Sequence, residues 1–340
     1  MIQTTQLQIQ TLYQDLVDAH VSRPAADVDG APFIRVISGK RYWYTNERVG
    51  ARMVQHYFGP DDEATRQRMH NARIAREEAK AFERRTSDIV AQLRAARLPA
   101  QDADTGRLLT ALARSGVFGV GGTLVGTHAF RLYDAEIGRR VTQAAPAQTE
   151  DVDIASFERL SLAMAADDVP PVALTNTLAA LDLEPAPTTD PKGRTGRWRR
   201  KGGGVALDLL APSFSEEEGI VRLEVMGVWA QSLHFLNYLI ADPIPAVALY
   251  RAGVLVRIPR PERYAIHKLI VAQRRQAGNL AKRRKDLAQA AALIEVLAED
   301  RNSELRQAYQ TALEAGPEWR AAIEISLAGM PNSQKLVAEL

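Results

Sequence analysis

Glu150-Asp151-Val152-Asp153-Ile154 is the stretch that most narrows the folds open to this chain. Residues two apart on a β-strand project from one face, so the alternation sends both carboxylates to one side and Val152 and Ile154 to the other. The apolar pair asks for a core; the acidic pair asks for solvent or a cation. Two ionised carboxylates ~4 Å apart repel by roughly 4 kcal/mol at an effective dielectric near 20, so a positive charge belongs between them. Hard oxygen donors of this kind suit Mg²⁺ or Mn²⁺, held by one or two carboxylates together with substrate phosphates.

A third carboxylate, Asp208, interrupts the otherwise apolar run 205–210, which Gly202-Gly203-Gly204 opens. Burying it without a partner is costly. Either it joins the acidic pair at a metal or cation, or it sits at an edge and pairs with an arginine of the run 197–201. Upstream, Gly121-Gly122-Thr123-Leu124-Val125 reads as an apolar strand that delivers Gly126-Thr127 into a helix carrying Ala129, Phe130 and Tyr133. A Gly followed by a hydroxyl residue at a helix start can offer backbone N–H groups to a phosphate, or can serve only as a tight turn and a cap. His128 reads as a packing or supporting residue rather than a metal ligand.

Around this centre the chain divides into three. Residues 1–100 hold a helix over 1–20, a break at 23–32, a small β-hairpin or three-stranded unit over 33–60 and a long, densely charged helix over 61–97 that is poor in Gly and Pro. Residues 101–260 hold a helix over 105–115 that stops at Gly116, the strands above, helices over 155–167 and 171–182, and a hairpin of 246–250 with 254–258. Residues 261–340 read as helical over 262–276, 281–299, 302–315 and 317–329.

Two basic segments are candidates for nucleic acid. In the hairpin unit Lys40, Arg41 and Trp43 interleave with further aromatics, and strand alternation puts Arg41 and Trp43 on one face with Tyr42 and Tyr44 on the other. Such a surface can stack bases and meet phosphates, or its rings can form the small core of the unit. Arg197, Arg199 and Arg200 precede the Asp208 strand, where they can overhang the pocket and bind a triphosphate or an RNA backbone, or form a solvated loop.

Lys and Arg number 43 against 41 Asp and Glu, a formal charge of +2, so attraction to nucleic acid rests on these local clusters. The absence of cysteine excludes thiol nucleophiles, thiolate zinc sites and disulfides, and fits a reducing compartment. A polar N-terminus and the lack of a long apolar run argue against secretion and membrane spanning, so a cytoplasmic location is expected.

A strand leading through Gly-Thr into a helix, a strand bearing Asp-x-Asp and a strand bearing a third Asp together resemble the nucleotidyltransferase superfold related to DNA polymerase β. The resemblance implies an α+β fold with a mixed sheet flanked by helices, here joined by a C-terminal helical bundle and an N-terminal helix plus β-hairpin module. Gly126 and Thr127 match the phosphate-holding step, Asp151 and Asp153 the metal pair, and Asp208 the third acid. The interval from Thr127 to Asp151 exceeds the superfamily's compact spacing, through an insertion around 138–148.

In the tail, Tyr264-Ala265-Ile266-His267-Lys268-Leu269 and Lys282-Arg283-Arg284-Lys285-Asp286-Leu287 resemble the C-terminal motifs of AbiEii-type nucleotidyltransferase toxins, where a lysine and a Lys-Asp pair complete the site. Lys268, Lys285 and Asp286 match these by type and order. Gly278-Asn279 breaks the helix between Lys268 and Asp286, which leaves their meeting to tertiary packing. Over roughly 1–330 the chain looks most like a bacterial group of nucleotidyltransferase-fold proteins, on Leu-Val-Gly-Thr-His-Ala-Phe, Thr-Glu-Asp-Val-Asp and Tyr-Ala-Ile-His-Lys-Leu-Ile.

The resemblance implies metal-dependent transfer of a nucleoside monophosphate from an NTP to a hydroxyl. Catalysis would fall to Asp151, Asp153, Asp208, Lys268 and Asp286, with Mg²⁺ or Mn²⁺ on the first three. Gly126, Thr127, Lys268 and Lys285 would hold the NTP. The expected acceptor is RNA, such as a tRNA 3′ end, with an antitoxin or other regulatory protein as a further partner. Two alternatives stand beside this one: transfer to a small molecule or protein, and a non-catalytic protein that binds nucleic acid or a partner on the same fold.

Overall fold

Strands β5 (Asp151–Ser156) and β8 (Ala206–Pro212) set the centre of the molecule, because they pair in parallel with Asp153 opposite Asp208. The computed structural model describes residues 2–23, 31–49, 52–145, 151–156, 174–213, 218–275 and 277–340. On β5 the alternation acts as its sequence dictates: Val152 and Ile154 are almost fully buried, while Asp151 and Asp153 keep partial access.

The sheet grows outward from this pair. β4 (Gly122–Val125) runs antiparallel to β5, and β10 (Val228–Leu233) runs parallel to β8 and antiparallel to β9 (Ile220–Leu223). β7 (Arg197–Arg200) pairs antiparallel with the first half of β8, and β6 (Leu183–Pro185) pairs with β7, completing seven strands of mixed direction. The basic run 197–200 is therefore a strand, not a solvated loop. The apolar segment before Gly126 is strand only from Gly122, after a turn over 115–121.

The N-terminal region consists of α1 (Leu7–Val21), an antiparallel meander of β1 (Ala31–Ile37), β2 (Lys40–Val49) and β3 (Arg52–Pro60), and the 33-residue α2 (Glu63–Ala95). Asp62 caps α2 through a 2.7 Å bond from Thr65 N. Most of α2 is exposed, as its charge density predicts, and Val90 and Leu93 near its end pack with Tyr13, Leu16 and Val17 of α1.

Among the described residues the other helices are α3 (Ala103–Arg114), α4 (Gly126–Glu136), α5 (Val141–Ala144), α6 (Leu174–Ala180), α7 (Leu236–Leu239), α8 (Pro261–Arg274), α9 (Leu280–Asp300), α10 (Asn302–Glu314), α11 (Pro317–Ala328) and α12 (Pro331–Ala338). β11 (Ile244–Ala248) and β12 (Val254–Ile258) form the expected hairpin. The helix expected over 155–167 begins within β5 and otherwise lies outside the described residues. α5, α7 and α12 are additional to the expected helices. Among the described residues, no helix is long and apolar enough to cross a membrane.

One buried cluster runs from Leu108 through Val152, Leu207 and Leu269 to Val337. The C-terminal helices thus share the core of the sheet. Their break falls where Gly278-Asn279 predicts, in a single 3-10 turn (Ala277–Asn279) that folds α9 back on α8.

Candidate active site

α4 starts directly at the end of β4, and its first residue, Gly126, has φ +66°, a left-handed conformation that suits glycine. Val125 lies opposite Asp153 in the β4–β5 register, so this turn passes beside the Asp153 carboxylate. A Cβ on Gly126 would run into Asp153 Oδ2. The glycine is thus required twice, for its backbone angle and for the closeness of the acid.

The register of the parallel strands puts Asp153 and Asp208 side by side, with Asp151 two residues along on the same face. Like charges therefore crowd. Burial, followed by the neighbouring Asp208 charge, pushes the pKa of Asp153 up to about 7. Burial also raises that of Asp208, while the Arg197 charge acts to lower it.

Arg197 supplies the partner that the sequence left open. It lies opposite Asp208 in the β7–β8 register. Its fork reaches both strands, with Nη1 2.9 Å from Asp208 Oδ2 and Nη2 2.8 Å from Asp151 Oδ1.

The C-terminal helices close the other side. Lys285 Nζ donates to Thr127 Oγ1 at 3.2 Å, and the Tyr264 hydroxyl lies 2.9 Å from Gly126 O and 3.1 Å from Gln289 Oε1. Lys268 Nζ donates to Asp286 Oδ1 at 2.6 Å and stands 5.1 Å from the centre of the Tyr264 ring. Arg275 Nε takes the second Asp286 oxygen at 2.9 Å. Asp286 is fully buried; burial opposes its ionisation, but Lys268 and Arg275 outweigh it and hold its pKa below the ordinary value. Burial, then the Lys268 charge, lowers the pKa of Lys285. The positive charges of Lys268 and Lys285 both act to lower the pKa of Asp153, which sets them facing the acidic strands.

Gly126, Thr127, Asp151, Asp153, Asp208, Lys268, Lys285 and Asp286 therefore surround one end of the sheet. His128 packs in the core, with Nδ1 3.2 Å from Gln101 Oε1, and burial lowers its pKa to about 4.

The donor set has the chemistry of a hard divalent cation site: three carboxylates on one face, two of them with raised pKa values. As packed, however, no group of three or more His, Cys, Asp or Glu side chains among the described residues is gathered closely enough to hold an ion. The Arg197 guanidinium bridges two of the three acids.

The basic segments fare differently. Arg41 pairs with Asp61 at 3.2 Å, and Trp43 Nε1 donates to the same carboxylate at 3.0 Å. The opposite face of this sheet carries Phe33, Tyr42, Tyr44 and Tyr57, with ring centres 5.5–6.1 Å apart. Lys40 and Arg199 are exposed, and Arg200 pairs with Asp104 at 2.9 Å.

Three features escaped the sequence. Tyr264 is four residues before Lys268 on α8, a spacing that shares a helix face and was the available signal. Arg275 follows α8 and carried no signal. Gln231 pairs with Leu210 across β10 and β8, so the pleat brings Trp229 to the same face as Asp208, and Arg194 and Arg222 each stand 5.3 Å from its ring centre.

A family model described as nucleotidyltransferase matches residues 103–314, more than half of the chain and the span that carries every residue of this site. Comparison with curated proteins and with solved structures returns no match.

Proposed function

The chain belongs to a nucleotidyltransferase family, and from that premise we propose that it uses Mg²⁺ or Mn²⁺ to transfer a nucleoside monophosphate from an NTP to a hydroxyl of RNA. The observation that carries this reading is the placement of three carboxylates on one face of two paired strands, beside a glycine-started helix and two lysines at one sheet end.

Asp151 and Asp153, with Asp208 beside them, would hold the ion, which as a Lewis acid would offset charge on phosphate oxygens. The N-terminus of α4, Lys285 and Lys268 would orient the triphosphate by charge and hydrogen bonds. The acceptor oxygen would form a bond to the α-phosphorus as the bond to pyrophosphate breaks, and Asp208 would take the hydroxyl proton. Asp286 fixes the Lys268 ammonium. Such catalysis rests on alignment and electrostatics.

An RNA acceptor is favoured by the Arg194–Trp229–Arg222 cluster on the sheet face that carries the acids and by the aromatic face of the N-terminal sheet, since rings and guanidinium groups suit unpaired bases. A tRNA 3′ end fits this chemistry, as does a toxin-like role checked by an antitoxin.

The test incubates the protein with each labelled NTP, Mg²⁺ and total RNA, beside an Asp151→Ala/Asp153→Ala control. Label on RNA that the control abolishes supports the reading. Label on protein or a metabolite reassigns the acceptor, and no metal-dependent NTP binding leaves a non-catalytic protein.

A further inference from the structure

We infer that Arg197 is an exchangeable counter-ion of the acidic site: in the metal-free protein its guanidinium neutralises Asp151 and Asp208, and it yields them to a divalent ion and turns to the phosphates when a nucleotide binds. The inference rests on the proposed metal-dependent nucleotidyl transfer.

Three observations carry it. The fork spans carboxylates from two strands, with one nitrogen on each, 2.8 Å and 2.9 Å away. That is where a cation shared by β5 and β8 would act. A guanidinium that satisfies two carboxylate oxygens can also satisfy two phosphate oxygens, so its second partner needs no new chemistry.

The contacts are also easily surrendered. The side chain of Arg197 is 49% exposed and that of Asp151 42%, and exposed ion pairs hold weakly. The other ion pair of the site behaves oppositely: Asp286 is fully buried between Lys268 and Arg275 and is built to persist.

Finally, the backbone of Arg197 is anchored while its side chain is not. Its strand pairs in register with β8, and Gly196 O accepts a 2.8 Å bond from Leu209 N. Only side-chain rotation is needed to leave the acids, and the pivot remains beside them.

Mn²⁺ titration without nucleotide, followed by electron paramagnetic resonance, tests the first half on wild type, Arg197→Ala and Arg197→Lys. A non-hydrolysable NTP analogue titrated at saturating Mn²⁺ tests the second, and a melting curve of each variant verifies folding. Arg197→Ala is expected to bind Mn²⁺ about three- to thirtyfold more tightly, since two weak competing pairs are gone. It is expected to bind the analogue about tenfold more weakly, for loss of a charge-assisted contact. Arg197→Lys, with a single ammonium, should fall between on both axes.

A purely structural role would weaken both. Unchanged or weaker Mn²⁺ binding in Arg197→Ala, with wild type binding normally, overturns the exchange. Unchanged analogue affinity overturns the phosphate contact. If neither wild type nor Arg197→Ala takes up Mn²⁺, the metal-dependent reading falls, and the exchange falls with it.

Discussion

Asp153→Asn is expected to stabilise the metal-free protein at pH 8. The folded carboxyl has a pKa of about 7 against an ordinary 3.8, a cost to the ionised folded state of about 4 kcal/mol at 1.36 kcal/mol per unit. The direction follows from proton counting. Above pH 7 both folded and unfolded chains are ionised, and the folded one bears the full cost. Between pH 7 and 3.8 the folded carboxyl takes up a proton that the unfolded one does not, so the cost fades as pH falls. Asparagine keeps the shape and cannot ionise, so its benefit is greatest at pH 8 and gone near pH 4. For 340 residues at about 2.1 cal/mol/K each, the unfolding entropy is ~0.7 kcal/mol/K, which makes the gain about 6 °C in Tm. Melting followed by circular dichroism between pH 4 and 8, with chelator present, measures it. With saturating Mn²⁺ the order should reverse, because ligand binding raises the wild type alone. A Tm gain independent of pH, or a loss at pH 8, refutes the crowding of acids on which this reasoning rests.

The buried ion pair gives a second expectation: Asp286→Ala strands Lys268 and costs about 3–5 kcal/mol, whereas Lys268→Met/Asp286→Leu recovers most of the lost Tm without restoring binding of an NTP analogue. Gly126→Ala places an ordinary residue at φ +66° against Asp153, and should lower Tm by about 2 °C at ~1–2 kcal/mol while weakening the analogue more than tenfold by isothermal titration. His128 has a pKa of about 4, so from pH 6.5 downward the unfolded chain binds a proton that the folded one refuses, and stability falls with pH. Against His128→Asn, the wild type should therefore lose roughly 2.4 kcal/mol of relative stability between pH 7 and 4.5, read from paired urea titrations.

What could be read in advance was what local periodicity encodes. The alternation of β5, the helix breaks at Gly116 and Gly278-Asn279, and the long charged α2 each follow from residues within a few positions of one another. What could not be read depended on register. Arg197 reads as one of several arginines in a basic run, and only its place opposite Asp208 separates it from Arg199, which stands opposite Ala206. Trp229 has the same history: no residue within four positions of it is acidic, and the pleat alone brings it to the face of the acids. Arg41 and Trp43 share a face as their alternation predicts, yet Asp61, at the edge of the next helix, claims both.

The two sources of positive charge around the carboxylates divide the work between folding and binding. Lys268 is held by a buried Asp286, and Lys285 is tied to Thr127, so their positions are determined when α8 and α9 join the common core. Without them Asp153 would face its acidic neighbours with less opposing charge, and the sheet end would be costlier to fold. The helical tail is therefore a condition for tolerating the acids, not an appendage to them. Arg197 comes instead from within the sheet and is half exposed, so it can balance the two outer carboxylates without committing them. A site whose inner charge is met permanently and whose outer charges are met provisionally can fold without a metal and, under the proposed function, would still be able to receive one.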